Sequence, residues 1–339
     1  MKRFIGIDLH KNMFVACILW GKGNKIFKEY LLKDLDLFKK ELKKGDCLGI
    51  EATTNTRFFV QEIREYVKEV KVINPHQFKI ICKSTKKTDK IDAQVIAFYL
   101  SKGMIPEVRI KEKNSSELLS LATTRDRLVK LRTALKNKIH NILSSYGIVT
   151  KKEFLSSEKG LQRVMEMEIS DCAKIEVKIV IEQIQSLTKG IDELEDAIVK
   201  KWKSVKGFEN ITSIKGIGNL SGVILLSVIG DIKDFESEKK LDSYLGIVPR
   251  VEQSNDKLIY GKITKNGNKL ARKTLVQCAW IAIKYSDYLK RFYAKLAIKK
   301  GKAKAIIATA RKLLGIIYKT LINNWVFEDF TKFSKKPAY

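Results

Sequence analysis

Along the first hundred residues, short apolar runs alternate with amphipathic ones. "RFIGIDL" and "MFVACILW" are rich in β-branched and apolar residues and lie close together, so they predict neighbouring strands. "NKIFKEYLL" predicts a third strand. "DLDLFKKELKK" carries its apolar positions at helical spacing. "DCLGIEA" reads as a buried strand, "NTRFFVQEIREYV" as a helix, and "EVKVINP" as a strand that Pro75 stops. "TDKIDAQVIAFYLSKG" is a helix closed by Gly103.

Three strands followed by alternating helices and strands is the order of a ribonuclease-H-like α/β domain, here residues 1–104. A polar hinge, "PEVRIKEKNSSE", follows. Two long helical patterns come next. One spaces Leu121, Leu128, Leu135 and Ile142 seven apart, with Leu131 between. The other spaces Val177, Ile184, Ile191 and Ile198 seven apart, interleaved with Val180, Leu187 and Leu194. That seam suits a hairpin within one chain and equally a parallel two-chain coil, so residues 105–205 are expected to form a helical coiled-coil linker that contributes to oligomerisation. From residue 206 to 339 the pattern is helices joined by glycine turns. In "ITSIKGIGNLSGVILLSVIG", Gly216 and Gly218 separate apolar runs. Such a turn can free backbone N–H groups for a phosphate, as in helix-hairpin-helix modules, or can simply be a packing corner. The chain therefore reads as multidomain: an RNase H-like α/β domain, a helical middle and a mostly α-helical C-terminal domain.

Charge narrows the function. Across 339 residues the formal net charge is +28, with a pI near 9.7. From Lys206 onward, 26 Lys/Arg face 11 Asp/Glu. The excess favours a polyanion, nucleic acid before membrane. No apolar run reaches the length of a membrane span. "MKRFIGIDLHK" starts like a signal peptide, but Asp8, His10 and Lys11 fall where its apolar core should lie. Cys17, Cys47, Cys82, Cys172 and Cys278 are scattered and include no C-x-x-C pair, which predicts reduced thiols, a cytosolic setting and no zinc site. His10, His76 and His140 are too far apart to suggest a local metal motif.

The candidate chemistry lies in four acids. Asp8 is in the first strand, Glu51 ends the fourth, and Asp89 and Asp92 open the last helix of the domain. In a ribonuclease-H-like sheet the first and fourth strands are neighbours and the last helix packs across them, so the four can converge. Their mutual repulsion calls for cations. Mg²⁺ binds carboxylate oxygens and keeps positions open for phosphate, and two ions about 3.5–4 Å apart can clamp a phosphodiester. Lys83, Lys86, Lys87 and Lys90 surround the aspartate pair and suit backbone phosphates. Each acid also has an ordinary explanation, the aspartate pair as a first-turn dipole match among them.

The motifs "GIDLHK", "GIEATTNTR", "VINPHQFK" and "KTDKIDAQVIA" resemble the N-terminal motifs of DEDD-type insertion-sequence transposases of the bridge-RNA-guided serine recombinase family. "RDRLVKLRTALKNKIHNILSSYG" resembles the family's middle helical segment. "IKGIGNLSGVILLSVIGDIKDFESEKKLDSYLGIVP", "QSNDKLIYGKITKNGNKLARKTLVQCAW" and "GKAKAIIATARKLL" resemble its C-terminal transposase domain. The resemblance implies a RuvC-like domain with its D-E-D-D set on Asp8, Glu51, Asp89 and Asp92, and two Mg²⁺ ions. It implies a nucleophilic serine at Ser254, where Asn255 replaces the family's usual glycine. It further implies a covalent phosphoserine link to DNA, a noncoding guide RNA pairing with donor and target DNA, and a dimer or tetramer sharing its site between subunits. The setting implied is the prokaryotic cytoplasm, on the nucleoid. Lys262, Lys265, Lys269, Arg272 and Lys273 follow Ser254 and suit DNA backbone contacts.

Other classes compete. A metal-dependent RuvC-like junction nuclease would need the acids and not Ser254. A DNA invertase would need no guide RNA. A non-catalytic nucleic-acid scaffold would tolerate loss of any acid. "GIDLHK" also shares features with the phosphate loop of actin-like ATPases, but Leu9 and His10 stand where small residues are wanted.

Overall fold

The computed structural model describes residues 2–75, 77–78, 88–108, 113–202, 205–254 and 257–327. Lys83, Lys86, Lys87, His76 and Cys82 lie outside them. The chain divides into two units, Met1–Lys111 and Glu112–Tyr339.

In the first unit, β1 (Arg3–Leu9), β2 (Met13–Trp20), β3 (Asn24–Leu31), β4 (Cys47–Glu51) and β5 (Glu69–Ile73) form one sheet of order β3-β2-β1-β4-β5. β1 pairs antiparallel with β2 and parallel with β4. Side chains alternate across a sheet, and here the alternation separates two cores. One face presents Ile5, Ile7, Phe14 and Ile50 to α1 (Leu35–Glu41) and α2 (Thr56–Ile63), through Phe38, Phe59 and Ile63. Phe14, Tyr30, Phe38 and Phe59 pack there as an aromatic cluster.

The opposite face carries Val15 and Cys17 and is covered by α3 (Asp89–Ser101) through Ala93 and Ala97. Glycine permits this approach. A Cβ at Gly6 would stand 2.0 Å from the Ala93 carbonyl oxygen, and one at Gly49 3.0 Å from Ile96 Cγ2. The helix therefore lies almost directly on the backbone of β1 and β4.

The second unit begins with α4 (Lys113–Ser145), α5 (Glu158–Met165) and α6 (Asp171–Trp202). Val177, Ile184, Ile191 and Ile198 of α6 are all buried within the chain. α4 and α6 run antiparallel, tied by Arg125–Glu195, Arg132–Thr188 and Lys138–Glu176. The seven-residue seam thus closes an intrachain hairpin, and the parallel two-chain coil is not what it builds here. Near the chain reversal, Ile139, Leu143, Leu161, Val164 and Val177 form one core. At the other end Leu118, Ala122 and Ile198 join a larger one with the C-terminal helices.

Those helices are α7 (Phe208–Thr212), α8 (Asn219–Ile229), α9 (Glu238–Leu245), α10 (Lys269–Tyr285), α11 (Asp287–Lys300) and α12 (Lys302–Ile322). The helix-and-glycine-turn reading of this region misses a β-hairpin, β6 (Pro249–Ser254) and β7 (Lys257–Ile263). Its strands are short and charged, and Val251, Ile259 and Tyr260 are exposed, so no alternation of buried and polar positions announces them. Among the described residues, no helix is long and apolar enough to cross a membrane.

Candidate active site

Asp8 and Glu51 owe their position to the sheet. Ile7 pairs with Ile50 across β1 and β4, and each acid is the next residue of its strand. Each also lies two positions beyond a glycine beneath α3, Gly6 or Gly49, and so shares the face that the helix covers. Thr56 holds the end of β4 by donating its hydroxyl to the Glu51 carbonyl at 2.9 Å.

Asp89 and Asp92 enter from the helix. Thr88 caps α3, its hydroxyl accepting from the Ile91 N–H at 3.3 Å, so both aspartates sit in the first turn, where the helix dipole favours negative charge. The side chain of Asp8 is 13% exposed and that of Asp89 is 53% exposed. The centre is therefore closed toward the sheet and open toward solvent.

His10 stands between them. Its Nε2 lies 3.3 Å from Asp8 Oδ2 and 3.3 Å from Asp89 Oδ2. One donor atom from each of Asp8, His10 and Asp89 lies within 4.8 Å of the others. Glu51 and Asp92 do not join this tight group, although Asp92 is near enough to act on Asp8. Burial pushes the Asp8 carboxyl above its usual range, Asp89 and Asp92 push it further, and His10 opposes them.

This electrostatic pressure and the hard oxygen donors fit a divalent cation. Along the sequence the three histidines are too far apart to suggest a local metal motif. The fold instead brings His10 to Asp89, 79 positions away, through the sharp turn after β1. The only local signal is that His10 follows Asp8 by two residues.

The basic residues separate into two groups. Lys90 pairs with Glu29 at 3.0 Å. Arg272 donates to the carbonyls of Leu245 and Gly267, and Lys273 pairs with Asp126 at 2.7 Å, so both take part in internal contacts. Burial holds the Arg272 guanidinium below its usual range. Lys262, Lys265 and Lys269 belong to the other group, at or near the surface. Lys265 adopts a left-handed φ of 59°, its N–H bonding the Gly246 carbonyl at 3.1 Å.

Gly216 has φ 105°, and a Cβ there would stand 2.7 Å from the Ala282 nitrogen, so this glycine makes a packing corner. Gly218 precedes α8, and a Cβ there would meet nothing within 4 Å. Ser254 is the last residue of β6, paired in register with Lys257, and belongs to the second unit.

Comparison with known proteins agrees with this reading. A family model described as the IS110 DEDD transposase matches residues 5–148, and one described as the transposase IS116/IS110/IS902 family matches residues 208–294. The transposase for insertion sequence element IS1111A of Coxiella burnetii is 25% identical, over 94% of this chain and 89% of that protein. A probable family 20 transposase of Pseudomonas aeruginosa is 25% identical, over 94% and 96%. The pilin gene-inverting protein of Moraxella bovis is 27% identical, over 96% and 98%. The class name expected from the sequence motifs is corrected in one respect, since the family is classed as DEDD transposases and not as serine recombinases; which hydroxyl attacks the DNA is a separate matter of mechanism. The two matched stretches take up more than half of the chain and include the converging acids, and the protein belongs to the IS110/IS116 family of DEDD transposases, enzymes that cleave and rejoin DNA.

Proposed function

We propose that this transposase moves an insertion sequence by Mg²⁺-dependent strand cleavage and exchange, guided by a noncoding RNA, with Ser254 as the attacking group. The observation that supports the metal-dependent part is the placement of Asp8 beside Asp89, with Asp92 and Glu51 at hand, where the first turn of α3 meets the ends of β1 and β4. Asp8, Asp89, Asp92 and Glu51 would hold the ions. Bound there, divalent cations supply charge stabilisation for a phosphodiester under attack.

The protein's residues do the rest. The Ser254 hydroxyl attacks phosphorus and gives up its proton. One bridging P–O bond breaks, and the departing strand end leaves as a hydroxyl. The phosphoserine ester retains the bond energy, so the hydroxyl of a second strand can reverse the step and restore a phosphodiester. Lys262, Lys265 and Lys269, which follow Ser254, suit backbone phosphates. Gly218 leaves the start of α8 open to a phosphate. The resemblance of the motifs supports the guide RNA, a dimer or tetramer, and a site composed from two subunits. Inversion, the activity named for the Moraxella relative, uses the same cleavage and rejoining.

The test is a denaturing gel of labelled DNA. Asp8→Asn and Asp89→Asn should each abolish cleavage, by more than about a hundredfold, while nucleic-acid binding persists. Ser254→Ala should lose the protein-linked product. Mixing Ser254→Ala with Asp8→Asn chains should restore part of the activity if subunits share a site. Protein that nicks DNA without ever becoming linked to it would favour a hydrolytic nuclease. RNA-free protein that exchanges strands at full rate would remove the guide.

A further inference from the structure

The placement of His10 has an explanation beyond a hydrogen bond. Its Nε2 is equally far, 3.3 Å, from a carboxylate oxygen on β1 and one on α3. Common N–H···O bonds span about 2.7–3.2 Å, and a single ring nitrogen carries one proton at most. The position therefore gives at most one long hydrogen bond, to Asp8 or to Asp89, and not both at once. It is a good ligand position. Neighbouring ligands of an octahedral ion with bonds of about 2.1 Å lie about 3 Å apart. The imidazole nitrogen comes close to that spacing with each carboxylate oxygen, at 3.3 Å, and one donor atom from each of the three residues lies within 4.8 Å of the others.

The turn that carries His10 is also fixed. The His10 N–H bonds the Met13 carbonyl at 2.9 Å. The Asn55 side-chain amide, from the loop after β4, donates to the Lys11 carbonyl at 3.0 Å and to that of His10 at 3.3 Å. The strand ends that present Asp8 and Glu51 are thus tied to the turn that presents His10. The other side of the imidazole is open, with 45% of the side chain exposed.

Resting on the metal-site reading above, we infer that His10 is a direct ligand of the catalytic divalent ion and biases the site toward first-row transition ions such as Mn²⁺ over Mg²⁺. Mg²⁺ prefers all-oxygen surroundings, whereas imidazole nitrogen suits the transition ions. His10 thereby sets metal preference without being required to hold the ion, because Asp8 and Asp89 remain.

The decisive measurement is pulsed electron paramagnetic resonance on the full chain loaded with Mn²⁺ alone. The native protein should show ¹⁴N modulation on the bound Mn²⁺. Labelling histidine with ¹⁵N should convert that modulation to the ¹⁵N pattern, and His10→Asn should abolish it. Titration should show Mn²⁺ affinity falling about tenfold in His10→Asn, with Mg²⁺ affinity changed by less than about threefold. Mn²⁺ that binds with a dependence on Asp8 and Asp89 but without nitrogen modulation in the native chain overturns the role of His10 and leaves the metal site standing. Mn²⁺ that does not bind, or binds equally well to Asp89→Asn, sinks the metal reading itself. Because the native spectrum decides the ligand question, a fold defect in the variant could not obscure it.

Discussion

Asp126, on α4, is 8% exposed and receives two lysines, Lys130 one turn along the helix and Lys273 from α10. Burial works to raise its carboxyl, but the two lysine hydrogen bonds outweigh burial and hold it below the usual range. The sign of the pH effect follows. A depressed carboxyl contributes stability at pH values above its unfolded pKa, near 3.9, and loses it as pH falls through the folded value. Asp126→Asn should cost about 1–3 kcal/mol at pH 7. The difference from the native protein should shrink in denaturant titrations taken below about pH 4. An undiminished gap in acid would show that the contact acts through shape and not charge. At this scale strand and helix patterns in the sequence place each acid on its element, Asp8 on β1, Glu51 on β4 and the aspartate pair on α3. They do not reach Asp126, whose partner Lys273 lies far along the chain and looks like part of a basic DNA-facing run. His10 is missed for the same reason, since a tertiary ligand set has no spacing to read.

Elements are legible where their apolar side chains are buried. β1 and β2 coincide with "RFIGIDL" and "MFVACILW", because their apolar residues serve the cores on both sides of the sheet. The exposed β6–β7 hairpin gives no such signal. Sequence also leaves open whether the α6 seam is internal. The fold buries Ile191 to 2% and leaves Ile179 at 55% exposure. Ile191→Ala should therefore cost about 2–5 kcal/mol, and Ile179→Ala under about 0.5 kcal/mol, by chemical denaturation. Equal losses would mean that Ile179 is covered in solution, as a second copy would cover it. Gly6 supplies a sharper test of how α3 is seated. Gly6→Ala must push the helix off the sheet or bend β1, at about 2–4 kcal/mol. Because α3 carries Asp89, the same change should also reduce divalent-ion affinity. Gly45→Ala is the matched control, because a Cβ at that position meets nothing within 4 Å.

For the molecule as a whole, 66 Lys and Arg stand against 38 Asp and Glu, so even complete internal pairing would leave a net charge of +28. Binding to DNA or RNA should weaken on the order of a thousandfold between about 50 and 200 mM salt, as released counterions require. A flat salt response would move recognition away from the phosphate backbone. The second unit adds a consequence of its own. Its helical hairpin has one apolar core near the chain reversal, around Ile139 and Val164, and another at its base, around Leu118 and Ile198. The two belong to different clusters of side chains, with Ile191 and the Arg125–Glu195 and Arg132–Thr188 contacts between them. Such a build divides into separate cooperative units. Val164→Ala should speed amide hydrogen exchange from about residue 139 to 184 and leave α8, α10 and α12 protected. The hairpin end can then open and close while the base stays folded, so thermal fraying of one extremity need not reach the C-terminal helices packed at the other.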